Sequence, residues 1–282
     1  MIVVTGATGH LGRLTVTALL DRGVPAGEIV AAVRDPAKAA DLGVEVREAD
    51  YGRPEKLVAA FAGADRVLLI SSSEVGQRFA QHRNAVDAAK AAGVGFLAYT
   101  SVLRADVSTL GLAGEHKETE QYIAESGLPH TFLRNGWYLE NYTEHLASAL
   151  EHGTILGSAR DGLISGAARA DYAAAAAVVL TDDRHREEVY ELAGDTAFTM
   201  ATLAAEVSRQ SGEEVVYHDL PEADYVAALA GTGMPRQYAE LLADSDVGVS
   251  KGQLVSEDTA LTDLIGRPTT SLADAVAVAL KN

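Results

Sequence analysis

The chain has 282 residues and 29.5 kDa, 48% of them hydrophobic and 22% charged, a balance that excludes disordered and fibrous classes and suits one large domain or a domain with a smaller lobe. With 23 Lys and Arg against 40 Asp and Glu the formal charge is -17, so the long-range field repels phosphate backbones and anionic lipid, and neither nucleic acid nor a membrane is an expected partner. The absence of cysteine removes disulfides, thiolate metal sites and a cysteine nucleophile and fits a reducing compartment, so the expected location is the cytoplasm.

The opening run Met1 to Gly6 enters a strand directly, without the basic region, apolar stretch and cleavage site of an export signal, so export is not expected. Short β-branched runs predict strands at 2–5, 29–34, 44–49, 66–70, 96–100 and 130–134. Between them helix-period segments fall at 11–22 (stopped by Gly23), after Asp35 as N-cap with Pro36 first, at 54–61, at 77–92 (stopped by Gly93) and at 115–126 (stopped by Gly127). This alternation implies an α/β fold with a Rossmann-type doubly wound parallel sheet.

Past Arg134 the pattern loosens. Trp137, Tyr138 and Tyr142 cluster, a Gly-rich stretch covers 153–166, a helix is expected at 171–180, and a strand at 189–192 is expected to return to the sheet. Thr199 caps a further helix, and 215–249 is rich in aromatic and turn residues, Tyr217 and His218 among them. The expected division is a nucleotide-binding domain over 1–135 with 171–195 returning to it, and a smaller C-terminal α/β substrate lobe from 136–170 and 196–282. The longest apolar run, 172–180, is far too short to span a bilayer.

The strongest chemical signal is Thr5-Gly6-Ala7-Thr8-Gly9-His10-Leu11-Gly12, between the first strand and the first helix. Gly6 permits a tight turn, Gly9 lets backbone N–H groups approach a pyrophosphate, and Gly12 allows the helix to lie close to the sheet. Three glycines alone make only a strand-to-helix turn, but the order of elements selects a dinucleotide site, with Gly6, Thr8, Gly9, His10, Leu11 and Gly12 as candidate contacts. An acidic residue at the second strand's end would favour NAD. Here Arg34 stands there and Lys38 follows one turn on, cations that suit a 2′-phosphate, so NADPH is the expected cofactor. Asp50 and Tyr51 end the third strand, where they could meet adenine, although Asp50 equally suits a helix entry. Ser71, Ser72 and Ser73 end the fourth strand and Thr100 and Ser101 the fifth, at the carboxyl edge where ligands bind in open α/β sheets; a capping turn is the alternative for the serines.

These residues resemble the NmrA-like group of atypical short-chain dehydrogenases/reductases, and within it the type 2 NADPH-dependent quinone oxidoreductases. The resemblance runs through residues 4–12, Val33-Arg34-Asp35-Pro36-Ala37-Lys38, residues 68–76 and, most diagnostic, Leu133-Arg134-Asn135-Gly136-Trp137-Tyr138. It implies reduction of a small planar quinone-like acceptor by NADPH without bound flavin, the acceptor lying between the Rossmann core and the C-terminal lobe. A homodimer is compatible with the sequence, which does not set the oligomeric state.

The larger superfamily uses Tyr-x-x-x-Lys on the helix after strand five; aligning by Glu120 and Gly127 puts Leu112 and His116 in those places. Carbonyl–alcohol interconversion is therefore disfavoured. Hydride addition to a quinone gives a delocalised phenolate-type anion, which needs little acid assistance. His116 is the candidate proton donor or oxyanion hydrogen bond, with a surface histidine as its bland alternative. Asn135 could bond a quinone oxygen or the nicotinamide amide, and Tyr138 and Trp137 offer flat apolar surfaces, Trp137 being alternatively an anchor between the lobes. The histidines show no metal-ligand spacing. Two other readings stay open: a triphenylmethane- or azo-dye-type reductase using the same cofactor, and a non-catalytic NmrA-like redox sensor.

Overall fold

In the computed structural model, which describes residues 1–281, the first half alternates strand and helix: β1 (Ile2–Thr5), α1 (His10–Asp21), β2 (Ile29–Val33), β3 (Glu45–Glu48), α2 (Pro54–Phe61), β4 (Arg66–Leu69), α3 (Arg78–Ala91), β5 (Phe96–Val102), α4 (Ala113–Ser126) and β6 (His130–Asn135). The second half runs α5 (Glu140–Thr143), α6 (Leu146–His152), β7 (Thr154–Gly157), α7 (Arg169–Thr181), β8 (Val189–Leu192), α8 (Met200–Ser211), β9 (Val216–Asp219), α9 (Glu222–Gly231), α10 (Arg236–Ser250), α11 (Ala260–Ile265) and α12 (Leu272–Ala279). No helix among the described residues is long and apolar enough to cross a membrane.

Seven strands form one parallel sheet in the order β3-β2-β1-β4-β5-β6-β8. The chain winds outward from β1 in one direction and from β4 in the other, so the strand order reverses between these two, where open α/β sheets leave a ligand crevice. Both faces of β1 and β2 are buried, which is why their sequences read as continuous apolar runs rather than alternating ones. On one face α1 and α7 cover Val4, Ala31 and Leu133. On the other α2, α3 and α4 cover Val3, Leu69 and Tyr99. The alanines of α7 leave no bulk between it and α1, so Ala173, Ala176 and Ala177 are buried together with Val16 and Leu19.

The lobe is built on β7 and β9, a two-stranded parallel ribbon, with a core of Leu146, Ile164, Phe198, Leu203, Val207 and Val276. Here the structure departs from the sequence reading in two places. The turn-rich reading of 215–249 gives way to two helices, because Pro221 and Pro235 stand as the N-caps of α9 and α10 instead of in loops. The expected lobe also loses α11: Leu261 is fully buried in the sheet-side core against α7, an apolar face that finds cover only there. The last residue of that expected range, Asn282, lies outside the described residues.

Hairpin α9–α10 packs largely on itself through Val226, Ala239 and Ala243. Two carboxylates on α10 fasten it to the body: Asp244 accepts from the Gly111 N–H and Asp246 from the Ser158 N–H, each at 2.8 Å.

Candidate active site

The loop between β1 and α1 has the geometry of an anion cradle. Gly6 takes φ +57° and its carbonyl accepts from the Gly9 N–H at 2.9 Å. Gly9 caps α1 with no side-chain hydrogen bond, so the N–H groups of the first turn remain available to a phosphate. A Cβ on Gly12 would overlap the Gly6 carbonyl and stand 2.7 Å from the Ala7 Cα, so only glycine lets helix and loop close up. Thr8 is half-buried and His10 exposed beside this turn. Leu11 points into the core and can offer only its backbone.

Beyond β2, Arg34 is exposed and its Nη1 lies 3.0 Å from Glu74 Oε1, while Glu74 Oε2 accepts from Gln81 at 2.7 Å. Lys38 is also exposed, and its carbonyl accepts from Arg13, whose other terminal nitrogen donates to Asp41 at 2.8 Å. Arg13 is a cation that spacing alone did not single out. Together Gly12, the uncapped helix end and Arg34 fit a dinucleotide bearing a 2′-phosphate.

Asp50 Oδ1 accepts from the Gly52 N–H at 2.8 Å in the turn before α2. The Tyr51 hydroxyl donates to the Ile70 carbonyl at 2.7 Å and contacts Thr5, and its ring stands edge-on to His82. Ser71 N–H donates to Thr100 Oγ1 and Ser72 N–H to His82 Nε2, both at 2.9 Å, and the Ser72 carbonyl accepts from the buried Arg78 at 2.7 Å. These contacts fix the backbone of Ser71 and Ser72 at the sheet edge, while Ser73 is exposed. Ser101 is buried and its Oγ has no partner.

His116 is neither on the surface nor suited to give up a proton. It is buried on α4, with Nδ1 2.7 Å from the Tyr99 hydroxyl. Burial holds its pKa well below the ordinary value, and the Arg78 charge and His82 add to this. His82, fully buried, is likewise pushed down to about 3 by burial and by Arg78. Since Ser72 N–H donates to Nε2 of His82, its proton sits on Nδ1 and faces Thr119 Oγ1 at 3.0 Å. The expectation of a near-neutral imidazole acid at His116 is corrected accordingly.

Asn135 and Tyr138 do come together, Asn135 Nδ2 donating to the Tyr138 hydroxyl at 3.4 Å, and Asn135 Oδ1 is buried with no partner. They stand apart from His116: Tyr138 packs with the α1–α7 side, whereas Tyr99, which holds His116, belongs to the opposite face. The Tyr138 ring is not a bare stacking surface, because the Arg169 guanidinium lies 5.1 Å from its centroid and Tyr172 meets it edge-on at 5.3 Å. Arg169 also bonds Glu144 and, at 3.1 Å, Asn141, and Glu144 lies 3.5 Å from His10 of the phosphate loop. This Arg169–Glu144–His10 bridge joins the two halves of the site. Its only trace in the sequence is an arginine opening a helix. Trp137 takes its anchor alternative, packed in the lobe core. Tyr217 donates to Asp219 and accepts from Ala159 N–H, so it braces the lobe, and His218 is exposed.

No group of metal-ligating side chains occurs among the described residues. A concavity of about 780 Å³ lies at the amino end of the sheet around Met1, Arg22 and Arg66, away from the edge that binds ligands in this architecture.

Residues 1–256 match the model of the NmrA-like family. Quinone oxidoreductase 2 of Escherichia coli (strain K12) is 56% identical over 279 residues, spanning 98% of this chain and 97% of that protein. The crystal structure of the NADPH-dependent quinone oxidoreductase of Escherichia coli complexed with NADPH superposes with a TM-score of 0.96 at 56% identity over the whole of both chains. Triphenylmethane reductase of Citrobacter sp. complexed with NADP(H) superposes with a TM-score of 0.95 at 38% identity, covering 99% of this chain and 100% of that one.

Proposed function

The chain belongs to the NmrA-like family, and from that premise we propose that it is an NADPH-dependent quinone oxidoreductase working by direct hydride transfer without bound flavin. The observation that carries the proposal is the 56% identity to Escherichia coli quinone oxidoreductase 2 across nearly the full chain. Within that reading, the first-turn N–H groups of α1 and the glycines at 6, 9 and 12 hold the pyrophosphate, Arg34 and Lys38 meet the 2′-phosphate, and the backbone at Ser71, Ser72, Thr100 and Ser101 borders the nicotinamide ribose. When bound, NADPH supplies the hydride.

Asn135 and Tyr138 orient the reactants, Asn135 through the Oδ1 that the protein leaves unpaired, an acceptor for the nicotinamide carboxamide N–H, and Tyr138 through the hydroxyl of a ring that Arg169 and Tyr172 hold in place. Positioning of this kind supplies most of the rate when the product anion is already delocalised. The proton comes from solvent, since His116 stays neutral and bonded to Tyr99. The expected compartment is the cytoplasm, and self-association into a homodimer belongs to the same proposal.

Absorbance at the reduced-nicotinamide band tests it, with purified protein free of flavin and benzoquinone as acceptor. NADPH-selective oxidation is expected. Consumption with a triphenylmethane dye but not with quinone would favour the dye-reductase reading, which the 38% identity to triphenylmethane reductase keeps in play. Tight NADPH binding without consumption by either acceptor would favour a sensor.

A further inference from the structure

A cavity of about 240 Å³ lies between α10 and the loops that follow β4 and β5, lined by Val75, Gly111, Gln237, Tyr238, Leu241 and Asp244. Two of its walls come from the loops after β4 and β5, which also carry candidate site residues. Val75 sits in the same loop as Ser71 to Ser73, and Gly111 directly precedes Leu112, the first residue bordering α4. The only charged group in the lining, Asp244, is already used, accepting the Gly111 N–H at 2.8 Å. Nothing else there calls for a charged ligand. Outward, Tyr238 is 47% exposed and Leu242 37% exposed on α10, an apolar rim on a chain whose net charge is -17.

Resting on the quinone reading above, we infer that this slot receives a short hydrocarbon side chain carried by the acceptor quinone, the ring lying inside at Asn135 and Tyr138. The slot is smaller than the roughly 300–1,000 Å³ typical of pockets that enclose a whole ligand, so it suits a substituent and not the complete acceptor. The volume takes only the first part of a longer tail, and the repulsion between this acidic chain and anionic lipid works against drawing such a tail from a bilayer. A protein partner or second copy is a poorer occupant, because a stable interface needs roughly 800 Å² from each side, far more than six residues around a slot present.

The test compares kcat/KM for unsubstituted benzoquinone with that for the same ring bearing one five-carbon prenyl chain, at saturating NADPH. Burying even two methylene groups in the slot corresponds to about a tenfold preference for the prenylated compound, expressed mainly in KM. In Leu241→Asp and, as a variant at an exposed position that spares the fold, Tyr238→Ser, this ratio is expected to fall toward one. A ratio near one in the unmodified protein, or one that persists in both variants, overturns the inference while leaving quinone reduction standing. Failure of both quinones to oxidise NADPH removes the quinone reading itself, and the inference with it.

Discussion

Arg34 and Glu74 form an ion pair, 3.0 Å between Nη1 and Oε1, that joins the end of β2 to the loop after β4 across the end of β1, the ground a bound dinucleotide must occupy. If Arg34 meets the 2′-phosphate as proposed, Glu74 competes with that phosphate for the same guanidinium. Glu74→Gln is expected to tighten NADPH roughly two- to fivefold, the scale of a solvent-exposed pair, and to leave NADH unchanged, with the gain shrinking at high salt. Arg34→Glu should weaken NADPH far more than NADH. Fluorescence titration of the reduced cofactors measures both, and equal effects on the two cofactors would reduce Arg34 to a surface charge.

The paired histidines beneath the loop make an acid-sensitive point in the fold. An unfolded imidazole takes up its proton near 6.5, whereas His82 resists until about 3 because of burial and the Arg78 charge. Between these values the unfolded chain binds more protons, so stability rises with pH across this window and is lost as pH falls toward 3, by about 1.4 kcal/mol per pH unit. Urea midpoints should decline below pH 6.5, and His82→Gln, which can still accept from Ser72 N–H, should flatten that decline.

His116→Ala removes the nearer partner of the buried Tyr99 hydroxyl, leaving His82 Nδ1 at 3.4 Å, and should cost about 1–3 kcal/mol of stability. NADPH affinity is expected to stay close to that of the unmodified protein. Because His116 is neutral throughout, turnover should show the same pH dependence in the variant; a limb near 6.5 that disappears with the substitution would restore the imidazole as an acid.

Asp246 has the opposite sign. Burial raises its carboxyl to about 6, with Asp219 adding to the effect and the Ser158 N–H opposing it, and Tyr142, Tyr217 and Tyr225 close around it from α5, β9 and α9. The native state then holds an extra proton between the ordinary value of 3.8 and about 6, so this contribution to stability is full below 3.8 and is lost as pH rises through 6. Asp246→Asn keeps an acceptor for Ser158 and should stabilise the protein by roughly 3 kcal/mol at pH 8 but little at pH 4. Thermal melts at the two pH values decide it.

Arg134, in the most diagnostic stretch of the sequence, carries structure and not chemistry. It is 8% exposed and bonds Glu120 at 2.6 and 3.0 Å and Asp106 and Glu191 at 2.8 Å. Arg134→Leu leaves Glu120 buried without a counter-charge, and a loss of about 3–5 kcal/mol is expected. Glu120→Gln combined with Arg134→Leu should recover part of it, which a double-mutant cycle by denaturant unfolding would read.

The sheet, its flanking helices and the phosphate loop were legible because each depends on local periodicity or on glycine and proline at fixed offsets, such as Gly12 against Ala7 or Pro36 after Asp35. Position at the strand ends, more than residue type, pointed to the carboxyl edge of the sheet. What could not be read were partners distant in the chain: Glu74 for Arg34, Tyr99 for His116, Arg169 for Tyr138. Each pairing depends on how layers stack, and the same residue in isolation reads as solvated. The strand β7 was hidden for a different reason, since its partner β9 lies 62 residues on and its own four residues sit in a glycine-rich run.

Hairpin α9–α10 has its own small core of Val226, Ala239 and Ala243, and its fastening to the body includes the Asp244 and Asp246 hydrogen bonds. A roof built in this way can be recut with little disturbance to the sheet beneath it. Acceptor choice can then diverge by drift in one exchangeable piece while the nucleotide half stays constant, so a lineage of such chains would be expected to share an electron source and differ in what they reduce.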